Sequence, residues 1–200
     1  MNRPGARARP PRSETRRRIL DAAYVLFSER GIATTSLAQV AEAAGLTKGA
    51  IYSNFTGKDE LVLALMEERT MGRLTSVLDE LSAVDDAQEA VAGVGHVLVE
   101  AMRSDAAAHR LLAENYAMSF RDPAYREALR ARRRDARTAI AEAVVRVQEV
   151  TGLRLRLPPD EVAVVLLALS NGLGVESDID PDAVPEDLLG RLLVLLVDPG

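Results

Sequence analysis

The sequence predicts an all-α fold, and three observations carry that prediction. Apolar residues recur at i, i+3, i+4 and i+7 through successive segments, the period of one helix face. No stretch alternates with the period of two that a half-buried strand requires. The breaks between segments fall on Gly, Pro, Ser, Thr and Asp, residues that cap or stop helices. About nine helices follow from these breaks.

Residues 1–12 hold Pro4, Gly5, Pro10 and Pro11 among Arg3, Arg7, Arg9 and Arg12, and read as a mobile basic arm. The first helix starts near Ser13. Ile19, Ala22, Ala23, Leu26 and Phe27 form its apolar face, and Gly31 stops it. Ser36 with Gln39 spells a capping box for a short helix over 37–44. Gly45 breaks that helix, and Thr47 caps a second short one running to about Asn54. Two short helices around a Gly turn make a helix-turn-helix, with Val40, Ala44, Leu46 and Ile51 able to face inward.

A long helix opens at Lys58 and carries Leu61, Leu65 and Met66 on its apolar face. Helices over 58–80, 87–103, 105–120, 123–150, 160–176 and 186–197 complete the chain. Asp122-Pro123 starts one of them, with Asp as cap and Pro where its missing N–H costs nothing. Pro158-Pro159 ends the segment before it, and residues 178–187 read as an acidic loop. The predicted organisation is a basic arm over 1–12, a helix-turn-helix domain over 13–60 with its motif at about 37–56, and a second helical domain over 61–200.

Composition narrows the function classes. The 200 residues are 48% hydrophobic and 28% charged, a globular balance rather than a disordered one. Cys is absent, which removes disulfides, thiolate metal sites and Cys nucleophiles together. The two His, His96 and His109, are too few for a His-rich metal site, so no metal and no cofactor is expected. No apolar run reaches the roughly 18 residues of a membrane span, and the Arg- and Pro-rich start is no secretory signal. The expected place is the cytoplasm, with no membrane partner. Residues 1–58 carry ten Lys/Arg against four Asp/Glu, a net +6, while residues 59–200 carry a net −11. A basic end on an acidic body fits a terminal module for a polyanion, although a basic tail that merely aids solubility has the same charge.

The order of these features resembles the DNA-binding domain of TetR-family transcriptional regulators. The residues that carry the resemblance are Ile19 to Ala23, Leu26-Phe27, Gly31, Thr34 to Ser36, Val40-Ala41, Ala44-Gly45, Lys48-Gly49, Ile51-Tyr52, Asn54-Phe55 and Lys58 to Leu61. They cover about residues 13–65. One position departs: Asn54 stands where the family often has His in its Tyr-x-His-Phe segment. The resemblance implies an N-terminal three-helix DNA-binding domain and a C-terminal ligand-binding and dimerisation domain. It also implies a homodimer that binds double-stranded operator DNA, and an unidentified small-molecule effector.

Chemistry at these positions agrees. The helix over 48–54 is the recognition helix, whose first residues meet base edges in the major groove. Lys48 can donate to guanine, and Ser53 or Asn54 can read base edges. Gly49 lets the backbone approach closely, at a cost in helix stability of about 1 kcal/mol against Ala. Tyr52 can donate to a phosphate. Thr35, Ser36 and Thr47 sit at helix starts, where free N–H groups favour phosphate, and Ser36 and Thr47 serve equally as caps. Lys58, Arg12, Arg16 and Arg17 can follow the DNA backbone, and the arm can enter the minor groove. Phe55 reads as a packing residue.

The segment from Val162 to Leu169 and the segment from Leu188 to Val197 are apolar on nearly all sides, which calls for burial on two faces. Val162, Val165, Leu166, Leu169, Leu173, Leu189, Leu192, Leu193 and Leu196 are the expected dimer contacts, and a dimer would present two recognition helices about 34 Å apart to a palindromic operator. Expected ligand-pocket residues are His96, Met102, Glu114, Tyr116, Met118, Phe120 and Asn171. The stripe Arg126, Arg130, Arg133, Arg134 and Arg137 reads as a solvated face.

An enzyme reading finds no support. There is no Gly-x-Ser-x-Gly, no phosphate loop ending in Gly-Lys-Ser/Thr and no His-Glu-x-x-His, so no catalytic residue is expected. A structural adaptor built on the apolar C-terminal helices is the other rival. A ligand-released repressor is the leading expectation; an activator, or a regulator that needs its ligand to bind DNA, is the alternative within the same family.

Overall fold

The structure is a computed structural model that describes residues 11–81 and 87–198. Among the described residues it is all-α, with nine helices and one isolated β-bridge. They are α1 (Arg12–Arg30), α2 (Leu37–Ala43), α3 (Lys48–Tyr52), α4 (Lys58–Leu81), α5 (Ala87–Arg103), α6 (Ala106–Arg121), α7 (Pro123–Thr151), α8 (Pro159–Ile179) and α9 (Leu188–Val194). The chain divides into two compact units between Leu65 and Met66, inside α4.

In the first unit, the α1 residues at helical spacing are the buried ones: Ile19, Leu20, Ala23, Leu26 and Phe27. They share the unit's interior with Val40 and Ala41 of α2, Ile51 of α3, Phe55, and Leu61 to Leu65 of α4. The capping box forms as its residues dictate. Ser36 Oγ accepts from the Gln39 N–H at 3.3 Å, and Gln39 Oε1 accepts from the Ser36 N–H at 2.8 Å. The Gln39 N–H of α2 and the N–H of its cap Ser36 are thereby paired, worth about 1 kcal/mol. Gly45 holds φ at +63°, a conformation an L side chain resists, so α2 ends there and the chain turns into α3.

The expected arm, residues 1–12, lies outside the described residues over its first ten. Arg12 is corrected: it is helical, because Pro11 caps α1 and the Thr15 N–H donates to the Pro11 carbonyl at 3.0 Å.

The second unit is built from the remainder of α4 and from α5 to α9. Val94, Val99 and Met102 of α5 bury against Leu189 and Leu193 of α9. A second cluster joins Ile140 of α7 to Ala163 and Leu167 of α8. The α5 and α9 backbones meet where Gly95 lies on Gly190; a Cβ on Gly95 would overlap the Gly190 backbone. Asp122 caps α7 as its sequence predicts, its Oδ1 accepting from the Ala124 N–H at 2.8 Å.

Two helix ends in this unit differ from expectation by three residues. The helix α8 continues to Ile179, past the expected end at 176, because Asp178 gains a buried partner: its Oδ2 accepts from His109 Nδ1 at 3.2 Å. The helix α9 stops at Val194 instead of 197, because the chain beyond it pairs with the α7–α8 connection. The Arg156 N–H donates to the Leu196 carbonyl at 2.8 Å, and the Asp198 N–H donates to the Arg154 carbonyl at 2.9 Å. By length and composition α8 could cross a membrane, a property that core helices of soluble proteins share. Here it packs against α5, α6 and α7.

Candidate nucleic-acid interface and ligand cavity

In the first unit, α3 presents a polar, open face. Thr47 caps it, its Oγ1 accepting from the Ala50 N–H at 3.3 Å. Lys48 and Gly49 are exposed on its first turn, and Tyr52 is 60% exposed despite its aromatic ring. A Cβ on Gly49 would meet only Thr47 Oγ1, at an ordinary 3.8 Å. Packing within the unit therefore does not require glycine there. Ser36 is exposed at the start of α2, and Arg17 is exposed on α1.

Other expected contacts are tied into the unit. Arg12 Nη2 donates to the Ser53 carbonyl at 3.2 Å, bringing the first turn of α1 to the end of α3. Arg16 stacks over the Phe55 ring, 4.5 Å from its centroid, a cation–π contact. Lys58 Nζ donates to the Ala33 carbonyl at 3.0 Å. These three hold their charges beside α3 or the α1–α2 connection while already engaged.

Three expectations about this face are corrected. Thr35 is 1% exposed, and its hydroxyl donates to the Gly31 carbonyl at 2.9 Å, so its side chain faces inward. The recognition helix ends at Tyr52, not Asn54, and its last carbonyls then need donors. Asn54 Nδ2 donates to the Ala50 carbonyl at 2.8 Å, and Ser53 Oγ donates to the same oxygen at 3.0 Å. Asn54 is consequently half-buried as a helix end, not open to base edges, whereas Ser53 stays exposed. Phe55 is 1% exposed, a packing residue as read.

The second unit contains a cavity of about 100 Å³ between α4, α5, α7, α8 and α9. Its described lining is Leu74, Val77, Val91, Val94, Ile140, Ala143, Val144, Val147, Leu153, Leu155, Val162, Leu166, Leu193 and Leu196, with Gln148 as the one polar side chain. A second compartment of about 70 Å³ shares Leu74, Val77, Val94, Ile140 and Leu166 with it and ends on Thr70, Arg73, Ser170 and Asn171.

Of the seven expected pocket residues, Asn171 lines this second compartment. The other six are absent from the described lining of both compartments. His96 is exposed beside Glu100, Met102 belongs to the α5–α9 core, and Phe120 is 77% exposed. Glu114 and Met118 are half-buried elsewhere on α6. Tyr116 sits behind the wall: its hydroxyl accepts from Asn171 Nδ2 at 3.2 Å. The physical reason is that a space between packed helices is walled by their aliphatic faces, and sequence reading favoured polar and aromatic residues. The aliphatic periodicity was the usable signal.

Three of the expected dimer contacts are corrected. Val162, Leu189 and Leu193 are buried within the chain. Leu166, Leu169, Leu173 and Leu196 pack on the α5–α9 core, and Val165 and Leu192 are half-buried. On a helix apolar all round, sequence cannot say which face the chain itself covers. The face that α8 leaves exposed runs through Val164, Ala168, Gly172, Val175 and Ile179. In the Arg stripe, Arg130 pairs with Glu127 at 3.6 Å as a solvated face should, while Arg133 lies over the Tyr116 ring and Arg126 Nε donates to the Ser119 carbonyl at 2.9 Å.

Comparison with known proteins agrees with this architecture. The family model described as bacterial regulatory proteins of the tetR family matches residues 19–65. The model described as BetI-type transcriptional repressor, C-terminal, matches residues 87–197. The chain is 39% identical over 89 residues to the HTH-type transcriptional regulator TtgR of Pseudomonas putida, a match covering 44% of this chain and 40% of that one. It is 29% identical over 114 residues to the HTH-type transcriptional activator FasR of Mycolicibacterium smegmatis, covering 57% of this chain and 51% of that one. The chain thus spans about half or less of the length of these curated relatives. The solved structure of Salmonella enterica GusR superposes with a TM-score of 0.68 at 24% identity, covering 92% of this chain and 95% of that one, and it speaks for the fold. Since the two family models together take in the helix-turn-helix and more than half of the chain beyond it, the protein belongs to the TetR family of transcriptional regulators and carries its DNA-binding domain.

Proposed function

We propose that the protein is a homodimeric repressor that binds a palindromic operator through α3 and leaves it when a small molecule occupies the cavity of the second unit. The residues at 13–60 form the DNA-binding domain in this reading, and the remainder binds the ligand and the second subunit. The observation that carries it is the surface of α3: Lys48, Gly49 and Tyr52 stand open, and the unit's own packing asks for none of them.

Lys48 donates to a base edge or a phosphate and Tyr52 to a phosphate. Gly49 brings the helix backbone close to the duplex. Ser36, Thr47, Ser53, Arg12, Arg16, Arg17 and Lys58 surround this surface and fix its register on the phosphates. The exposed apolar face of α8 takes the second subunit, which sets two recognition helices roughly 34 Å apart. Coupling runs along α4, which carries Lys58 in the first unit and the cavity residues Leu74 and Val77 in the second. Ligand release of DNA requires only that the ligand prefer the conformation that misfits the operator. Such a protein works where the chromosome is, in the cytoplasm. Activation in place of repression is the second reading, favoured by the name of FasR.

Fluorescence anisotropy with labelled operator tests the proposal. Lys48→Ala and Tyr52→Ala should each weaken specific binding, and together abolish it, with the dimer intact. Unchanged operator affinity in both would refute the recognition surface.

A further inference from the structure

The exposed apolar face of α8 lies between two ends of unlike charge, and this inference rests on the homodimer reading above. We propose that a second copy of the chain docks on this face antiparallel, so that Asp180 and Asp182 of each copy enter an arginine-lined groove between α7 and α8 of the other.

The basic end is an open groove of about 600 Å³ beside the start of α8. Arg134, Arg137 and Arg146 line it and outnumber its acidic side chains, Glu142 and Asp160. Other arginines of α7 are engaged within the chain: Arg130 with Glu127, Arg132 with Glu67, and Arg126 on the Ser119 carbonyl. The three in the groove make no ion pair among the described residues.

The acidic end is the chain that leaves α8. Residues 176–190 carry six Asp and Glu and no Lys or Arg. His109 takes Asp178, Arg103 takes Glu186 and Arg191 takes Asp187. Asp180 and Asp182 are exposed and make no ion pair among the described residues. The Asp182 N–H donates to Asp180 Oδ1 at 3.1 Å, which fixes the turn that carries both.

Between these ends, Val164, Ala168, Gly172, Val175 and Ile179 are open along α8. Val164 belongs to this face and also lines the groove, and Ile179 precedes Asp180, so the three surfaces are continuous. Both halves of the charge match lie on one chain, which is what a self-complementary two-fold contact requires.

Charge sets the orientation. Two parallel α8 helices would set groove against groove and carboxylate against carboxylate, repelling at both ends. An antiparallel pair centred near residue 170 sets Ala168 on the partner's Gly172 and Val164 on the partner's Val175, because each pair is spaced evenly about that centre. The small residues let the two backbones come close in the middle. The partner's Asp180 and Asp182 then arrive at the groove beside Val164, once at each end of the dimer.

Sedimentation velocity of the full-length protein, without DNA, tests the docking. Arg134→Glu with Arg137→Glu should weaken the dimer about tenfold or more, since each change counts at both ends. Asp180→Lys with Asp182→Lys should do the same. All four substitutions in one chain exchange the charges across each contact and should restore the dimer. If circular dichroism shows the lysine variant unfolded, Glu176→Lys on the exposed last turn of α8 replaces it with the same expectation. A dimer that neither charge reversal weakens overturns the proposal and leaves the homodimer standing. A fourfold variant no tighter than its parents also overturns it, because parallel pairing predicts that result. A wild-type protein that sediments as a monomer refutes the homodimer reading itself, and this docking with it.

Discussion

The Arg18 guanidinium donates through Nη2 to the carbonyl oxygen of Ala44 at 2.7 Å, tying the middle of α1 to the turn between α2 and α3. The next residue, Gly45, holds φ at +63°, and a Cβ there would stand 3.3 Å from the same Arg18 nitrogen. One side chain thereby secures the turn that sets the angle of the recognition helix.

Breaking that tie should weaken DNA binding without removing a DNA contact. Arg18→Met leaves a half-buried carbonyl without its charged donor and should cost about 1.5–3 kcal/mol of first-unit stability. Gly45→Ala should cost about 1–2 kcal/mol through the left-handed backbone alone. Thermal unfolding followed by circular dichroism measures both, and operator affinity should fall in step.

Gly49 makes a prediction of opposite signs. A Cβ fits at this position, so Gly49→Ala should stabilise α3, by about 0.5–1 kcal/mol. The same methyl should lower operator affinity, because it holds the helix backbone away from the duplex. Chemical denaturation and anisotropy on one preparation decide it; a variant that is more stable and binds equally well would remove the close approach from the account.

Lys48 and Ser36 separate a DNA contact from a structural cap. Lys48→Ala should leave stability unchanged and reduce the salt slope of operator binding by about 1. Ser36→Ala should cost about 1 kcal/mol of stability through the lost capping box. Salt titrations of binding alongside urea melts distinguish the two.

The second unit has its own tight point. The His109 ring is buried against Gly174, its Nδ1 donates to Asp178, and Nε2 has no hydrogen-bond partner among the described residues. A Cβ on Gly174 would overlap the ring. Gly174→Ala should therefore destabilise the second unit by about 1–3 kcal/mol through overpacking. Gly172, two residues earlier, has open space around it, and Gly172→Ala should be tolerated in the monomer. Gly172→Glu, on the exposed α8 face, should dissociate the dimer in sedimentation velocity while leaving helicity intact.

Local signals were legible where local chemistry decides structure. Ser36 with Gln39, Thr47, Gly45 and Asp122-Pro123 each placed a helix boundary, because a cap depends on residues within three positions. Choices made by distant residues were not legible. Thr35 looks like any surface threonine until Gly31 takes its hydroxyl. Leu189 and Leu193 were apolar enough for a dimer interface, yet α5 covers them. The lining of the void was not legible for the same reason: helix packing decides which aliphatic side chains border a void, and no short-range pattern encodes that. Asn171 borders the smaller compartment and donates to the Tyr116 hydroxyl, a contact between residues 55 positions apart that no local pattern encodes.

The most direct test of the account is selection of fragmented DNA from the source genome with the purified full-length protein, read by sequencing at low and moderate salt. The account predicts enrichment of a palindrome with half-sites about one helical turn apart, persisting at moderate salt and lost with Lys48→Ala and Tyr52→Ala together. Binding that fades with salt and enriches no sequence would contradict it.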